Sequence, residues 1–261
     1  MKLTPIKPNI ETYPAELHHF LLNAAIYDSS CSTNAKVIFI DKNDGYFLKS
    51  AAKGALEREA TMTQYFHSKG LAADVLAYIS DVNDWMLTTK IHGDDGIAAK
   101  HLEQPERLCD IFAEQLALLH STDFAGCPIF NHTQRYLTQA QNNKQRGTYD
   151  KSQFPDSWGY TNEEEAWAVV EKNKHLLKTD TLLHGDYCLP NIIFNNWAFA
   201  GFIDLDDGGI GDRHVDIFWA TWTLNWNLKT HKYRNRFIDA YGRDKVDEDM
   251  LRVVAAVEVF G

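Results

Sequence analysis

The sequence has no paired cysteines. Cys31, Cys109, Cys127 and Cys188 are scattered, with no CxxC and no zinc-ligand spacing, which reads as the reduced, packed cysteines of a cytoplasmic protein. Long apolar runs are missing too. No window approaches the roughly 18 residues that span a bilayer, and the start, "MKLTPIKPNIETYPAEL", lacks the apolar core of a signal peptide. A membrane partner is therefore not expected. Positive charge is in short supply: 26 Lys and Arg face 36 Asp and Glu, a formal net charge of −10. With no basic stripe to displace counterions, nucleic acid is excluded as the main partner, while the balance is compatible with a cationic one.

What is present divides into two halves. "AKVIFID" (35–41) and "GYFLKS" (45–50) are short β-prone runs separated by the turn signal "KNDG". A helix is expected from Ala55 to His67, followed by two more strands in "DVLAYISD" and "DWMLTTKI". Beyond Gly93 the periodicity turns helical, in "PERLCDIFAEQLALLHSTD", "NEEEAWAVVEKNKHLLK", "VDIFWATWTLNWNL" and "DEDMLRVVAAVEVF". The polar run from 138 to 165 reads as a long loop. The class is α+β, with a sheet-rich domain over 1–89 and a helix-rich one over 90–261, joined at Thr89–Gly93.

The chemistry concentrates in "HGDYCLPNIIFNNWAFAGFIDLDD" (184–207), where "NIIF" and "AFAGFIDL" read as a hairpin around "NNW". A hairpin brings its ends together, so Asp186, Asn191 and Asp204 are expected to converge. Phosphoryl transfer uses such a set: one carboxylate for the acceptor hydroxyl, and another with an amide oxygen for Mg²⁺, which prefers hard oxygen ligands. "DLDD" also matches the metal-binding acids of sugar transferases, or a solvated turn. His184 reads as a core histidine bonded to backbone. A second "HGD", at His92–Asp94, has no asparagine partner downstream and reads as a linker bend.

The pattern "HGDYCLPNIIF…GFIDLDDGGIGDRHVDI" resembles the aminoglycoside phosphotransferases, above all those acting on a 3′-hydroxyl, whose motif is HGD-x4-N with GFIDL-x6-DR-x2-DI. The resemblance implies a two-lobed, protein-kinase-like fold, with a small antiparallel-sheet N-lobe and a mostly helical C-lobe. It implies Asp186 as catalytic base, Asn191 and Asp204 as Mg²⁺ ligands, and ATP, with GTP also open, as phosphate donor. Lys49 stands at the strand end where kinases of this fold hold the α- and β-phosphates. Glu57 and Glu59 of "LEREA" point about 200° apart on a helix, so only one can face Lys49; the family pattern selects Glu59. By the same resemblance Phe47 lies against adenine and the backbone of Lys90 and Ile91 meets its edge. "DSSCSTNAK" (28–36) stands where a loop covers the phosphates, with Ser29, Ser30 and Ser32 as phosphate contacts.

Three departures stand out. Cys188 replaces the lysine that protein kinases carry two residues after the catalytic aspartate; with G-x-G-x-x-G and activation-segment motifs absent, this argues against a protein substrate. Asp206 and Asp207 replace a glycine and an arginine of the antibiotic kinases. On the acceptor side the resemblance implies Glu258 and Phe260 of the tail, and the polar loop adds Asp150 and Asp156. Trp219, Trp222 and Trp226 share a helical face, where core packing is favoured over an aromatic wall. The reading is an ATP- and Mg²⁺-dependent small-molecule kinase, monomeric or homodimeric, with an aminoglycoside as acceptor and antibiotic resistance as the role the family suggests. The alternatives are another metabolite (choline, a methylthio-sugar, homoserine) or a nucleotide-binding module without transfer.

Overall fold

The computed structural model describes residues 3–31, 33–154 and 158–261. The backbone divides into two compact units, residues 1–98 with 190–206, and residues 99–189 with 207–261. The first is the sheet unit. The strands of its main sheet are β1 (Thr4–Ile6), β2 (Ala25–Asp28), β3 (Lys36–Asp41), β4 (Tyr46–Ala52), β5 (Val75–Ser80) and β6 (Asn83–Thr89). All pair antiparallel, in the order β1-β2-β3-β4-β6-β5. Alternation decides the faces. Ile38, Ile40, Leu48 and Leu87 point to one side and pack on Tyr13, Leu17 and Leu21, the latter from the short helix α1 (His18–Leu21). Met86 points to the other side, against Leu56 and Ala60 at the start of helix α2 (Glu57–Ser68). Cross-strand partners share a face, so Lys49, opposite Met86, points to the α2 side.

Buried Asp84 fixes the start of α2. Its carboxylate accepts from the Leu56 N–H at 2.9 Å, Tyr78 Oη at 3.0 Å and Ser80 Oγ at 2.6 Å. Burial opposes its charge, but these bonds and one from the Gly54 backbone win and hold its pKa at about 2. The expected hairpin forms from Ile192–Asn195 and Ala198–Phe202, and it belongs to this unit. The second "HGD" is the linker bend: Asp94 and Asp95 form the short strand β7, paired to Phe194 and Ile193 of the hairpin. Gly93, at φ 143°, passes so close that a Cβ there would lie 2.4 Å from the Phe194 carbonyl oxygen.

The second unit is helical: α3 (Ala99–Leu102), α4 (Pro105–Leu119), α5 (His132–Arg146), α6 (Glu163–Asn173), α7 (His214–Leu228), α8 (Arg234–Tyr241) and α9 (Glu248–Glu258). Thr181–Leu183 and Gly209–Gly211 add a two-stranded ribbon. The α+β expectation holds. One element was misread: residues 138–146, expected as loop, are the second half of α5. That helix buries only His132, Thr133 and Ala140, so it carries little apolar periodicity, and it ends on Gly147 in the left-handed conformation, φ 69°. Among the described residues no helix is long and apolar enough to cross a membrane.

Candidate active site

In the sheet unit, three predicted residues meet. Lys49 Nζ donates to Glu59 Oε2 at 2.6 Å and to Asp204 Oδ1 at 2.9 Å. Burial works against the Lys49 charge, but the two carboxylates outweigh it and raise its pKa, so the ammonium persists. Glu59 is buried, and burial together with the charge of Asp204 outweighs Lys49 and pushes its pKa up. One cation serves two acids. Of Glu57 and Glu59, it is Glu59, the one the family pattern selects, that makes the bond. Asn191 is buried, and its carbonyl accepts from the Ile203 N–H at 3.0 Å, which brings Asn191 beside Asp204 where the hairpin arms close. Asp204 adopts φ 61°, a left-handed backbone that costs a non-glycine residue on the order of 1 kcal/mol.

The other nucleotide-side candidates fare unequally. Phe47 lies on the Lys49 side of β4, half-buried, with its ring 5.2 Å from that of Phe39. Lys90 lays its ammonium 5.1 Å over the Phe39 ring. Its N–H donates to the Gly45 carbonyl at 3.1 Å, so that group is engaged and only the Lys90 carbonyl is left to meet a ligand edge. Ile91 packs over Gly201. Ser29 and Ser30 shape the turn between β2 and β3. The Ser29 N–H donates to the Val37 carbonyl at 2.9 Å, and Ser30 Oγ accepts from the Val37 N–H at 2.9 Å. Ser32 lies outside the described residues.

In the helical unit the HGD loop is held from behind. Buried Asp216, in the first turn of α7, accepts from the His184 and Gly185 N–H groups, each at 2.8 Å, and from His120 Nε2 at 3.0 Å. Burial drives the His120 pKa down, so the ring is neutral; Asp216 fixes its proton on Nε2, and Tyr241 Oη lies 2.8 Å from Nδ1, which therefore accepts. His184 is fully buried, as expected, and its Nδ1 lies 3.3 Å from the Asp186 N–H. Gly185 is obligatory: a Cβ there would fall 1.9 Å from the Asp207 carbonyl oxygen. Asp186 is half-buried. Cys188, where protein kinases carry lysine, is a neutral neighbour, because burial and then the charge of Asp186 push its thiol well up.

Among the candidates named for the acceptor, Glu258 is the most perturbed. Its Oε1 accepts from Tyr136 Oη at 2.7 Å and Trp219 Nε1 at 3.1 Å. Burial pushes its pKa up to about 7, against those two bonds and with help from the charges of Asp207 and Asp186. Phe260, the other tail residue named, lies in the core and its carbonyl accepts from Asn143 Nδ2 at 2.9 Å. Its ring is fully buried, edge-on to Trp167 at 5.3 Å. Asp150 is exposed and caps its own turn, accepting from the Ser152 N–H at 2.8 Å. Asp156 lies outside the described residues.

Sequence reasoning missed the partners of the two departures. In the sheet unit Arg58 Nη2 donates to Asp206 Oδ2 at 2.5 Å; in the helical unit Arg135 Nη2 donates to Asp207 Oδ1 at 3.0 Å. Each added acid thus has its own arginine. The signal for Arg58 sat in plain view, as the middle residue of "LEREA"; for Arg135, in a polar helix read partly as loop, there was none.

Comparison with known proteins gives the family. The model of the phosphotransferase enzyme family matches residues 28–254. A probable aminoglycoside 3′-phosphotransferase of Lactococcus lactis subsp. lactis (strain IL1403) is 50% identical over 260 residues, covering 99% of each chain. An aminoglycoside 3′-phosphotransferase of Niallia circulans is 28% identical over 177 residues, covering 68% of this chain and 67% of its own. Among solved structures, an aminoglycoside-3′-phosphotransferase of type VIII superposes with a TM-score of 0.72 at 22% identity, covering 90% of this chain and 91% of that one. The Streptomyces rimosus ATCC10970 enzyme APH(3″)-Id, solved with ADP and streptomycin, gives 0.66 at 19% identity, covering 87% and 91%. The chain belongs to the phosphotransferase enzyme family, among its aminoglycoside phosphotransferases.

Proposed function

We propose that the protein is an ATP- and Mg²⁺-dependent O-phosphotransferase that moves the γ-phosphate to the 3′-hydroxyl of an aminoglycoside. The observation that carries this is the junction of Lys49, Glu59 and Asp204, in a chain half-identical to a probable 3′-phosphotransferase over 260 residues. In this reading residues 1–89 bind nucleotide and residues 90–261 carry the catalytic and acceptor groups, with the hairpin supplying metal ligands. Use of cellular ATP favours a cytoplasmic site of action.

The donor set fits Mg²⁺. Asn191 and Asp204 offer hard oxygens from one hairpin, and no group of three or more His, Cys, Asp or Glu able to hold a metal occurs among the described residues. So sparse a protein shell suits an ion that completes its coordination with phosphate oxygens and water. When bound, it would neutralise charge on the transferred phosphate. Lys49, held by Glu59, would clamp the α- and β-phosphates. Phe47, Ile91 and the Lys90 carbonyl would border the base, while Ser29 and Ser30 keep the covering turn closed. Asp186 would orient the acceptor hydroxyl and accept its proton. Glu258, with Asp150, would meet acceptor ammonium groups.

Asp186→Ala tests the assignment. ADP release on an aminoglycoside should fall by about 10³-fold or more, while nucleotide binding, read by thermal shift, persists. Near-wild-type turnover would remove Asp186 from its role. Turnover by the native chain on choline or a small sugar alone would redirect the acceptor.

A further inference from the structure

The three tryptophans of α7 do not enter the core. Trp219 and Trp222 are half-buried and Trp226 is 59% exposed. They form a stair: Trp219 and Trp222 meet edge to face at 5.4 Å, and Trp222 and Trp226 stack in parallel at 5.5 Å with 5° between planes. The lower step is tied to the acceptor carboxylate, since Trp219 Nε1 donates to Glu258 Oε1. On the same helix face Thr223 Oγ1 accepts from the Leu189 N–H at 3.3 Å, so the stair borders the HGD loop. Its upper step already holds a cation: the Lys229 ammonium sits 4.3 Å over the Trp226 ring.

A parallel indole pair with one member exposed is unusual on a helix, because stacked aromatic area is normally removed from water. Position and occupant together explain it. From Trp219 to Trp226 the helix rises about 10 Å, enough to continue past one sugar ring bound at Glu258. Indole faces attract ammonium groups and the apolar faces of sugars.

We infer that Trp222 and Trp226 form an aromatic ledge that extends the acceptor site of α7 outward from Glu258 and receives the outer aminated rings of a polycationic aminoglycoside. This rests on the proposed function and deepens it: the ledge selects among acceptors by size. An amine of the acceptor takes the place over Trp226 that Lys229 holds.

The test compares neomycin with neamine, the smaller core of the same molecule carrying the same 3′-hydroxyl. In Trp222→Ala and Trp226→Ala the KM for neomycin should rise about tenfold, with kcat and the KM for ATP unchanged. The KM for neamine should move less than twofold, and Trp226→Phe should recover most of the loss. Unchanged neomycin KM in both alanine variants overturns the ledge. Should the native chain phosphorylate neither compound, the functional reading fails. The ledge is then judged by indole fluorescence: quenching by neomycin that is lost in Trp226→Ala supports it, and no quenching in the native chain overturns it.

Discussion

Two glutamates, Glu59 in the sheet unit and Glu258 in the helical unit, are buried, at 4% and 9% exposure. They solve the same electrostatic problem in opposite ways. Glu59 has a cation of its own in Lys49. Glu258 accepts from a phenol and an indole, neutral donors that cannot repay the loss of water around a charge, and its pKa therefore stands at about 7. The first pair presents an ammonium, as an anionic ligand requires. The second presents a carboxyl on the edge of ionisation, which an arriving cation would complete. Under the proposed function the acid paired with a lysine stands on the phosphate side and the acid without one on the amine side.

Breaking the first arrangement should have the larger effect. Lys49→Ala leaves Glu59 buried beside Asp204 with no counter-charge, a loss on the order of 3 kcal/mol, read by denaturant unfolding. Turnover should fall at least 100-fold. Adding Glu59→Leu should restore much of the stability and none of the turnover, which separates the structural from the chemical share.

Glu258→Gln should act on acceptor and pH together. Because the folded pKa of about 7 exceeds the ordinary 4.5, the protonated form favours folding. That contribution is complete below about 4.5 and is lost as pH rises through 7, on the order of 3 kcal/mol. The Gln variant should therefore gain stability over the native chain between pH 5 and pH 8, measured as a difference in Tm. The native acceptor KM should fall as pH rises through 7, when Glu258 ionises; in the variant it should be flat and about tenfold higher at pH 8. A parallel pH course in both proteins would contradict this account of Glu258.

The smallest change sharpens the contrast. Tyr136→Phe removes one hydrogen bond to Glu258 Oε1, worth about 1 kcal/mol. The midpoint of the acceptor-KM profile should then move up by roughly 0.7 pH unit, with turnover at pH 8.5 near normal.

Local pattern carried much of this in advance. The hairpin was legible because "NIIF" and "AFAGFIDL" flank a turn, and its closure dictates that Asn191 and Asp204 meet. Lys49 and Glu59 were named through the family resemblance; helix spacing alone said only that one of Glu57 and Glu59 could face the lysine. The acceptor side was not. Phe260 was read as one residue of a tail motif, and nothing local says that its ring turns to Trp167. The exposure of Trp226 was hidden for the reverse reason, since spacing along a helix defines a face without stating what covers it. α5 escaped because a helix burying three residues has scarcely any apolar rhythm.

The sheet unit takes residues 190–206 from far down the chain. Emerging from the ribosome, its first 98 residues can pair their strands yet lack the hairpin, and Lys49 must wait for Asp204, made 155 positions later. Biosynthesis therefore leaves the Lys49 cluster half-finished until most of the polypeptide exists, and no single cut in the gene yields either half intact.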